Sequence, residues 1–176
     1  MEEKAVFAGG CFWCTEAVFQ RLKGVLSVSP GFTGGHVKNP AYREVVTERT
    51  GHAEAVSVVY DTTQVTYLDL LKVFFATHDP TTLNRQGADK GTHYRSAIFY
   101  NNSQQLEQAE QMINNLEENN IYHDPIVTEL VAFEVFYNAE SYHYNYFNQN
   151  QDQPYCSYVI SPKIDKLNAY FSKLLK

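Results

Sequence analysis

Near the start of the chain stands the segment Lys4-Ala5-Val6-Phe7-Ala8-Gly9-Gly10-Cys11-Phe12-Trp13-Cys14-Thr15-Glu16. Its first residues are mostly apolar and predict a short strand. The glycines that follow allow a sharp turn out of that strand. The apolar spacing after the turn predicts a helix from Phe12 to about Leu22, which Gly24 ends. The segment therefore places Cys11 at or just before the first turn of a helix.

The remaining chain alternates predicted strands and helices. Strands or extended segments are predicted over residues 25–33, 54–60, 96–100 and 126–137. Helices are predicted over residues 67–77 and 139–148, from Asn102 or Ser103 onward, and from Pro162 to the end. Residues 34–51 and 80–92 are rich in glycine, proline and polar side chains and are predicted to be loops.

The order of these elements indicates an α+β protein, built as a two-layer α/β sandwich. Through residue 100 the order strand-helix-strand-strand-helix-strand is compatible with a ferredoxin-like core. No internal repeat or linker divides the chain, so we expect residues 1–176 to form a single domain. Residues 149–176 are expected to form a C-terminal extension, a tail followed by a helix.

Composition and charge exclude several classes of protein. The net charge of -6 argues against a nucleic-acid-binding protein, which usually needs a basic face. No apolar run approaches the roughly 20 residues that cross a bilayer, so we expect no membrane span. The N-terminus lacks the layout of a signal peptide, and we expect a cytoplasmic location. Three cysteines are too few for a disulfide-stapled scaffold, so their value lies in reactivity.

The surroundings of Cys11 favour a reactive thiol. A cysteine at a helix N-terminus lies near unpaired backbone N–H groups and the positive end of the helix dipole. That environment favours the thiolate, which is the nucleophilic form of cysteine. Phe12 and Trp13 are expected beside the sulfur, as an aromatic wall suited to an apolar methyl group. The alternative is a buried, inert cysteine in an aromatic-rich turn.

The segment Gly10-Cys11-Phe12-Trp13 resembles the signature of the A-type peptide methionine sulfoxide reductases. The resemblance continues in family order over roughly residues 5–158, in the segments Gly31-Phe32-Thr33-Gly34-Gly35, Asn39-Pro40-Ala41-Tyr42, Thr50-Gly51-His52-Ala53-Glu54, Asp79-Pro80-Thr81, Gln86-Gly87-Ala88-Asp89, Thr92-His93-Tyr94-Arg95-Ser96 and Ala139-Glu140-Ser141-Tyr142-His143. It implies reduction of the S epimer of methionine sulfoxide in proteins, peptides or the free amino acid. It also implies thioredoxin as the usual reductant and no metal or organic cofactor. We expect a monomer.

Reduction of a sulfoxide by a thiol requires a sulfur nucleophile and a proton source for the oxygen. The resemblance gives Cys11 the first role and Glu54 the second. In its predicted strand, alternation puts Glu54 on the same face as Val56 and Val58. If that face points inward, desolvation raises the pKa of Glu54 and keeps a proton available near neutrality. A solvated glutamate at the start of a strand is the alternative.

Further polar residues also match the family. Tyr42 and Tyr94 occupy its hydroxyl positions, where phenols hydrogen-bond the sulfoxide oxygen and stabilise developing charge. Asp89 matches its second acidic position, where it would orient water or the neighbours of Cys11, although from the residues alone it is a turn former. Glu16 is open between a partner of the helix dipole and a pocket residue. Three histidines in the matching segments are interpreted as structural: His52, His93 and His143.

Once the oxygen has moved to Cys11, a second thiol must condense with the sulfenic acid to give a disulfide. Tyr155-Cys156 matches the place where many family members carry this thiol, so Cys156 is the expected resolving cysteine. It lies in a polar segment expected to be mobile, although the helix that follows could hold it still or bury it. Cys14 is the rival, but on a regular helix it would need a local distortion to bond with Cys11. Direct reduction by an external thiol is a third route.

Other classes of protein stay open. Cys11 and Cys14 form a C-x-x-C, as in thioredoxin-like disulfide oxidoreductases, although the aromatic pair inside it would crowd a disulfide. The tyrosine-rich residues 137–158 suit a binding module. Cys11, Cys14 and a histidine could hold zinc, but no second C-x-x-C or H-x₃-H motif completes the usual four ligands.

Overall fold

The computed structural model describes residues 1–176 and has a mixed α/β fold. The strands are β1 (Glu2–Ala8), β2 (Val25–Thr33), β3 (Ala53–Asp61), β4 (Arg85–Gln86), β5 (Asp89–Lys90), β6 (Ala97–Tyr100), β7 (Glu129–Ala132) and β8 (Phe136–Asn138). The α-helices are α1 (Phe12–Phe19), α2 (Tyr42–Val45), α3 (Tyr67–Ala76), α4 (Ser103–Glu118), α5 (Tyr146–Gln149) and α6 (Ser161–Tyr170). Short 3₁₀ helices lie at Thr92–Tyr94, Ser141–His143 and Ser172–Leu174, and a π-helix, Cys156–Ile160, directly precedes α6. None of the helices has both the length and the apolar content needed to cross a membrane.

Six strands form one sheet in the order β7-β6-β1-β3-β2-β8. Only β6 and β7 pair in parallel, and all the other neighbours in this sheet are antiparallel. In the pairing of β1 with β3, Phe7 lies opposite Val56. The end of β1 therefore lies beside the start of β3, which brings the segment that carries Cys11 next to the one that carries Glu54.

The helices cover one face of the sheet, and the residues of β1 alternate between its two faces. Phe7 belongs to the main apolar core, whereas Val6 and Ala8 belong to a smaller cluster. The Phe7 ring stacks on Phe19 of α1 at 5.1 Å and on Phe74 of α3 at 4.9 Å between ring centroids. Such aromatic pairs contribute about 0.5–1.5 kcal/mol beyond their buried area. Phe7 thus fixes α1 and α3 against the strand that ends before Cys11.

The largest difference from the predicted elements lies late in the chain. Residues 126–137 contain the two short strands β7 and β8 in place of one extended segment. The helix predicted over residues 139–148 is wrong, because only a 3₁₀ helix and α5 form there. Asn145 separates them, since its φ of 57° is left-handed, and its N–H donates to Glu16 Oε2 at 2.9 Å. A contact with α1 therefore overrides the local helical pattern.

The predicted loops contain short regular elements. Residues 34–51 include the helix α2, and residues 80–92 include the β4–β5 hairpin. The first helix ends at Phe19 rather than near Leu22. The other predicted strands and helices are found, with ends that differ by a few residues.

The C-terminal extension packs against α1 and the turn that follows it. The Lys23 N–H donates to Leu174 O at 2.7 Å. Cys156 and Ile160 are fully buried in one cluster with Ala17 of α1. The extension is therefore part of the packing around the Cys11 helix rather than a free tail.

The two sides of α3 provide a test of where the core lies. Leu71 is fully buried, whereas Leu68 on the same helix is 40% exposed. We expect Leu71→Ala to lower the free energy of unfolding by about 2–5 kcal/mol, because it leaves a cavity. The matched control Leu68→Ala should lower it by about 1 kcal/mol or less. Urea denaturation followed by circular dichroism measures both, and equal losses would place Leu71 outside the core.

Candidate active site

The turn between β1 and α1 requires glycine. Gly10 has a φ of 88°, and a Cβ there would lie 2.7 Å from Gln86 Cγ. Cys11 follows as the N-cap residue of α1, with an extended backbone at ψ 128°. Cys11 and Cys14 therefore do not share one regular helix, which was the obstacle to a bond between them.

Glu54 lies in β3 on the same face as Val56 and Val58, which belong to the main core, and is 1% exposed. Its Oε1 accepts a hydrogen bond from the Phe12 backbone N–H at 3.2 Å, and its Oε2 is buried without a partner. Burial raises the pKa of Glu54 to about 8, although the Phe12 hydrogen bond opposes the shift. Glu54 therefore carries a proton at neutral pH, and one of its oxygens is free to face a ligand.

Cys11 is 7% exposed and shares a buried environment with Glu54. Burial raises the pKa of the Cys11 thiol well above its ordinary value, and Cys14 and the charge of Glu54 raise it further. A hydrogen bond with the Trp13 backbone lowers this pKa, but by less. The thiolate predicted from the helix N-terminus is therefore not the resting form. Desolvation outweighs the backbone dipoles of a helix of only eight residues.

Tyr42 at the start of α2 and Tyr94 at the end of a 3₁₀ helix bring two phenols to this region. The pKa of Tyr42 is raised to about 12, by burial and then by the charges of Glu54 and Cys11. The pKa of Tyr94 is raised by burial and then by the same two charges. Both phenols thus keep their protons and can donate hydrogen bonds to an oxygen bound near Cys11.

Trp13 is held by three aromatic side chains. Its Nε1 donates to His143 Nδ1 at 3.1 Å, its ring stacks on Tyr146 at 3.8 Å, and the edge of Tyr155 lies at 6.0 Å. His143 is fully buried, and burial lowers its pKa, which keeps Nδ1 free to accept. The sequence indicated His143 only as a structural residue. Its place in a family-like segment was the signal that it lies at the site.

Phe12 differs from Trp13 in its surroundings. Phe12 is 1% exposed, and its ring packs against Phe32 and Tyr42 at 5.6 and 6.3 Å between centroids. Trp13 is only half-buried. Of the predicted aromatic wall, Trp13 is the accessible part, and Phe12 supports the site from the core.

The three cysteines lie unpaired in one buried cluster. Cys14 is 4% exposed and Cys156 is fully buried. Cys11 and Cys14 shift each other's pKa, and burial together with Cys14 raises the pKa of Cys156. Cys14 is therefore the neighbour of both other thiols. The sequence left open whether Cys156 lies in a mobile segment or is buried by the helix that follows, and in the structure it is buried.

Cys14 has a different electrostatic environment from Cys11. Its pKa is lowered by the hydrogen bond with Cys11, then by the charge of Lys163 and a hydrogen bond with Tyr155, which together outweigh burial. Lys163 of α6 is half-buried, its Nζ donates to Thr77 O at 2.7 Å, and it lines the same small cavity as Cys14. Nothing in the local sequence indicated Lys163, because it is distant from Cys14 along the chain.

Asp89 of β5 reaches this cluster through Tyr155. The Tyr155 hydroxyl donates to Asp89 Oδ2 at 2.5 Å and lies 3.6 Å from Cys14 Sγ. The charge of Asp89 contributes to the raised pKa of Glu54, after burial. Asp89 thus lies near the other predicted site residues, but its hydrogen-bond partner, Tyr155, contacts Cys14 rather than Cys11.

Other residues singled out from the sequence have structural contacts. Glu16 is 1% exposed, binds the Asn145 backbone, and has a pKa raised to about 7 by burial. His52 Nδ1 accepts the Gly35 N–H at 3.0 Å, and His93 is buried. No three His, Cys, Asp or Glu side chains are grouped so that they could hold a metal ion, so the zinc alternative has no ligand set.

A large cleft in the surface lies apart from the Cys11–Glu54 pair. It has a volume of about 620 Å³ and is lined by residues that include His78, Tyr122 and Lys163. Neither Cys11 nor Glu54 lines it. The grouping of reactive side chains, rather than the size of a cavity, therefore identifies the candidate site.

Comparison with known sequences gives one consistent result. The family model described as peptide methionine sulfoxide reductase matches residues 3–175. A peptide methionine sulfoxide reductase MsrA from Deinococcus radiodurans is 54% identical over 175 residues, covering 99% of this chain and 85% of the relative. The MsrA from Saccharolobus solfataricus is 51% identical over 174 residues, covering 99% of this chain and 97% of the relative.

Solved structures agree with the sequences. The crystal structure of Mxr1 from Saccharomyces cerevisiae in reduced form is similar with a TM-score of 0.82 and 29% identity. The alignment covers 88% of this chain and 89% of Mxr1. Mxr1 has also been crystallised in complex with Trx2.

The raised pKa of Glu54 predicts a pH dependence of stability that Glu54→Gln removes. The unfolded carboxyl ionises near 4.5 and the folded one near 8, so between these values the unfolded state binds fewer protons and stability falls as pH rises. Gln does not titrate and still accepts the Phe12 N–H. We expect wild type to lose up to about 1 kcal/mol per pH unit relative to Glu54→Gln from about pH 5 to 8.

Urea denaturation at several pH values measures this difference. A matched control is Glu110→Gln, the same substitution at an exposed position of α4. A difference between wild type and Glu54→Gln that stays constant with pH would contradict the raised pKa.

Proposed function

Because the chain belongs to the peptide methionine sulfoxide reductase family, we propose that Cys11 reduces methionine-S-sulfoxide in proteins, peptides or the free amino acid. Family membership makes the chain an oxidoreductase that converts methionine sulfoxide to methionine with thiols. The observation that carries the chemistry is the protonated, buried Glu54 in the environment of Cys11. A nucleophile and an acid are the two groups that the reaction needs.

In the first step the Cys11 sulfur attacks the sulfoxide sulfur, and Glu54 gives its proton to the sulfoxide oxygen. The oxygen moves to Cys11, methionine leaves, and the thiol proton of Cys11 replaces the one that Glu54 gave. The products are methionine and a Cys11 sulfenic acid, with no net change in protons. Burial supports this order, because a neutral thiol beside a neutral acid avoids two like charges in an apolar site. Glu54 Oε2, buried without a partner, is the proposed donor atom.

The remaining site residues bind the substrate. Tyr42 and Tyr94 are proposed to donate hydrogen bonds to the sulfoxide oxygen, supported by their raised pKa values in the fields of Glu54 and Cys11. The half-buried Trp13 ring is proposed to contact the ε-methyl group, and Phe12 to support that wall. Asp89 is proposed to act on the later, thiol-to-thiol step.

We propose Cys14 as the first thiol to resolve the sulfenic acid, with Cys156 as the alternative that the family resemblance favours. The support is that Cys14 is the thiol hydrogen-bonded to Cys11, and that Cys11 is an extended N-cap rather than a helical residue. Cys14 also has the lowered pKa that a nucleophilic thiol needs. Cys156 neighbours Cys14, so it is placed for a second disulfide exchange.

Thioredoxin is the proposed reductant of the resulting disulfide, as the family resemblance implies. Mxr1, a similar protein, has been crystallised in complex with Trx2, which supports this proposal. We further propose a monomer in the cytoplasm, where a reducing environment suits three unpaired thiols.

The proposed architecture is a single domain over residues 1–176 with a ferredoxin-like core. The neighbouring strands β6, β1, β3 and β2 are all antiparallel, with α1 following β1 and α3 following β3. That order and connection support the proposal.

The alternative functions have less support. The peptide methionine sulfoxide reductase family model matches residues 3–175, which is almost the whole chain. This match does not support a thioredoxin-like oxidoreductase. The tyrosine-rich segment contributes Tyr146 and Tyr155 to the packing around Trp13, so its composition needs no separate binding module.

The proposed nucleophile is tested by a single turnover without reductant. Cys14→Ser and Cys156→Ser should each release about one methionine per protein, because Cys11 is consumed once. Wild type should release between one and about two, because the second disulfide exchange frees Cys11 again. Cys11→Ser should release less than about 1% of that amount, since loss of a covalent nucleophile costs many orders of magnitude. Chromatography of the products of each separated epimer measures methionine. Release from Cys11→Ser, or a preference for the R epimer, would contradict the assignment.

The proposed resolving thiol is tested by mapping disulfides after that turnover. Cys156→Ser should form a Cys11–Cys14 disulfide, and wild type should form the same disulfide first and then a Cys14–Cys156 disulfide. Cys14→Ser should stall as a sulfenic acid that dimedone traps. Peptide mass spectrometry identifies the linkage, and thiol counting follows its rate. Formation of a Cys11–Cys156 disulfide in Cys14→Ser at the wild-type rate would transfer the role to Cys156.

A further inference from the structure

A chain of hydrogen bonds leads away from Cys14. The Cys14 Sγ lies 3.6 Å from the Tyr155 hydroxyl oxygen, and that hydroxyl donates to Asp89 Oδ2 at 2.5 Å. A phenol has one proton. When Tyr155 gives that proton to Asp89, the Cys14 thiol is the donor in its own contact. After the thiol proton has moved to Tyr155, the hydroxyl donates to the Cys14 thiolate, which is how this bond lowers the pKa of Cys14. The chain therefore runs from the Cys14 thiol to the Tyr155 hydroxyl and on to the Asp89 carboxylate.

We propose that Tyr155 and Asp89 form a proton relay that deprotonates Cys14 as it attacks the sulfenic acid on Cys11. The inference rests on the proposed function, because it needs the sulfenic acid and Cys14 as the resolving thiol. Tyr155 touches the reacting sulfur and is the catalytic residue. Asp89 acts through Tyr155 and is a positioning residue that accepts the second proton.

The step balances without a further reagent. The Cys14 sulfur forms a bond to the Cys11 sulfur, and the S–O bond of the sulfenic acid breaks. Cys14 is oxidised and Cys11 is reduced to the disulfide level. The Cys14 proton passes to Tyr155 while the Tyr155 proton passes to Asp89, and the leaving hydroxide takes the proton of Glu54 as water forms. The proton on Asp89 returns through solvent to Glu54.

The two transfers along the relay occur together. Burial, followed by the charges of Cys11 and Cys14, raises the pKa of Tyr155, so a free phenolate is not an accessible intermediate. The thiol proton becomes more acidic as its sulfur gives electrons to the new S–S bond. Tyr155 can therefore accept that proton only as it releases its own to Asp89.

The groups around Cys14 fit this direction of transfer. The positive charge of Lys163, on α6, favours the thiolate that develops on Cys14. Tyr155 is hydrogen-bonded to Cys14 and belongs to the C-terminal extension rather than to α1. The titratable or charged groups that face Cys14 are Cys11, Glu54, His78, Asp89, Tyr155, Cys156 and Lys163. Of these, the Asp89 carboxylate is the acceptor that the hydrogen bonds connect to Cys14.

Rapid-quench kinetics separates the two steps in one experiment without reductant. Methionine release reports the first step, and loss of two free thiols reports disulfide formation. The variants are Tyr155→Phe, which keeps the ring against Trp13, and Asp89→Asn, which still accepts a hydrogen bond but takes no proton. The matched control is Tyr122→Phe, which also removes one hydroxyl hydrogen bond, to Phe75 O.

We expect Tyr155→Phe to release methionine close to the wild-type rate, and Asp89→Asn to release it a few-fold more slowly, because the substitution removes a charge that raises the pKa of Glu54. Disulfide formation should fall about 10²-fold at pH 7, the usual contribution of a positioned base. It should then rise steeply with pH until the Cys14 thiol is ionised, because only the Cys14 thiolate still reacts. Wild type and Tyr122→Phe should show a much flatter profile. A purely structural role for the pair would lower the rate without steepening this profile.

Several results would overturn the relay. One is an unchanged rate of disulfide formation in Tyr155→Phe, and another is an unchanged pH slope in both variants. A third is loss of methionine release in both variants, which would assign Tyr155 and Asp89 to the first step. Failure of wild type to release methionine would instead contradict the proposed function itself. Dimedone trapping of the accumulated sulfenic acid in Tyr155→Phe gives an independent check of the blocked step.

Discussion

One hydrogen bond, from the Phe12 backbone N–H to Glu54 Oε1, connects the start of α1 to β3. The donor is a backbone N–H that the first turn of a helix leaves unpaired. Because Cys11 directly precedes Phe12, the bond holds the Glu54 carboxyl group beside Cys11. A carboxyl group can accept this bond whether or not it is protonated. The fold therefore does not require an ionised Glu54, and the buried acid can remain neutral with its second oxygen free.

Desolvation then gives the residues of this segment different chemical roles. It raises the pKa of both Cys11 and Glu54, so the resting pair is neutral and a proton is ready for transfer. Cys14 lies near Lys163 and Tyr155, and its pKa is lowered instead. Two cysteines in one short segment thus have environments that suit successive steps, as in other sites where neighbouring groups are pushed to different pKa values.

Local sequence was sufficient for the parts of the fold that depend on local patterns. The β1 turn, the alternation of β3 and the α3 and α4 helices follow from apolar spacing, glycine and capping residues. The helix predicted across Asn145 failed because the Glu16 carboxylate binds its backbone from α1. At the candidate site, Cys11 and Glu54 were predicted from the motif and the strand period, and the structure places them in one buried environment. The Tyr155–Asp89 hydrogen bond and the position of Lys163 could not be predicted from the sequence, because they join segments that only the tertiary fold brings together.

The C-terminal extension explains why burial dominates the thiol chemistry. It supplies Tyr155 and Lys163 to the Cys14 environment, and it covers α1 with Cys156 and Ile160. A methionine side chain is thin, whereas a protein reductant must bring its own thiolate into line with a disulfide. With Cys11 7% and Cys14 4% exposed, that approach requires the packing around them to open locally. The π-helix Cys156–Ile160 lies directly before α6, and its buried residues Cys156 and Ile160 pack in the cluster that covers the thiols. The same cover that keeps water from the sulfenic acid therefore also makes recycling depend on the stability of the extension.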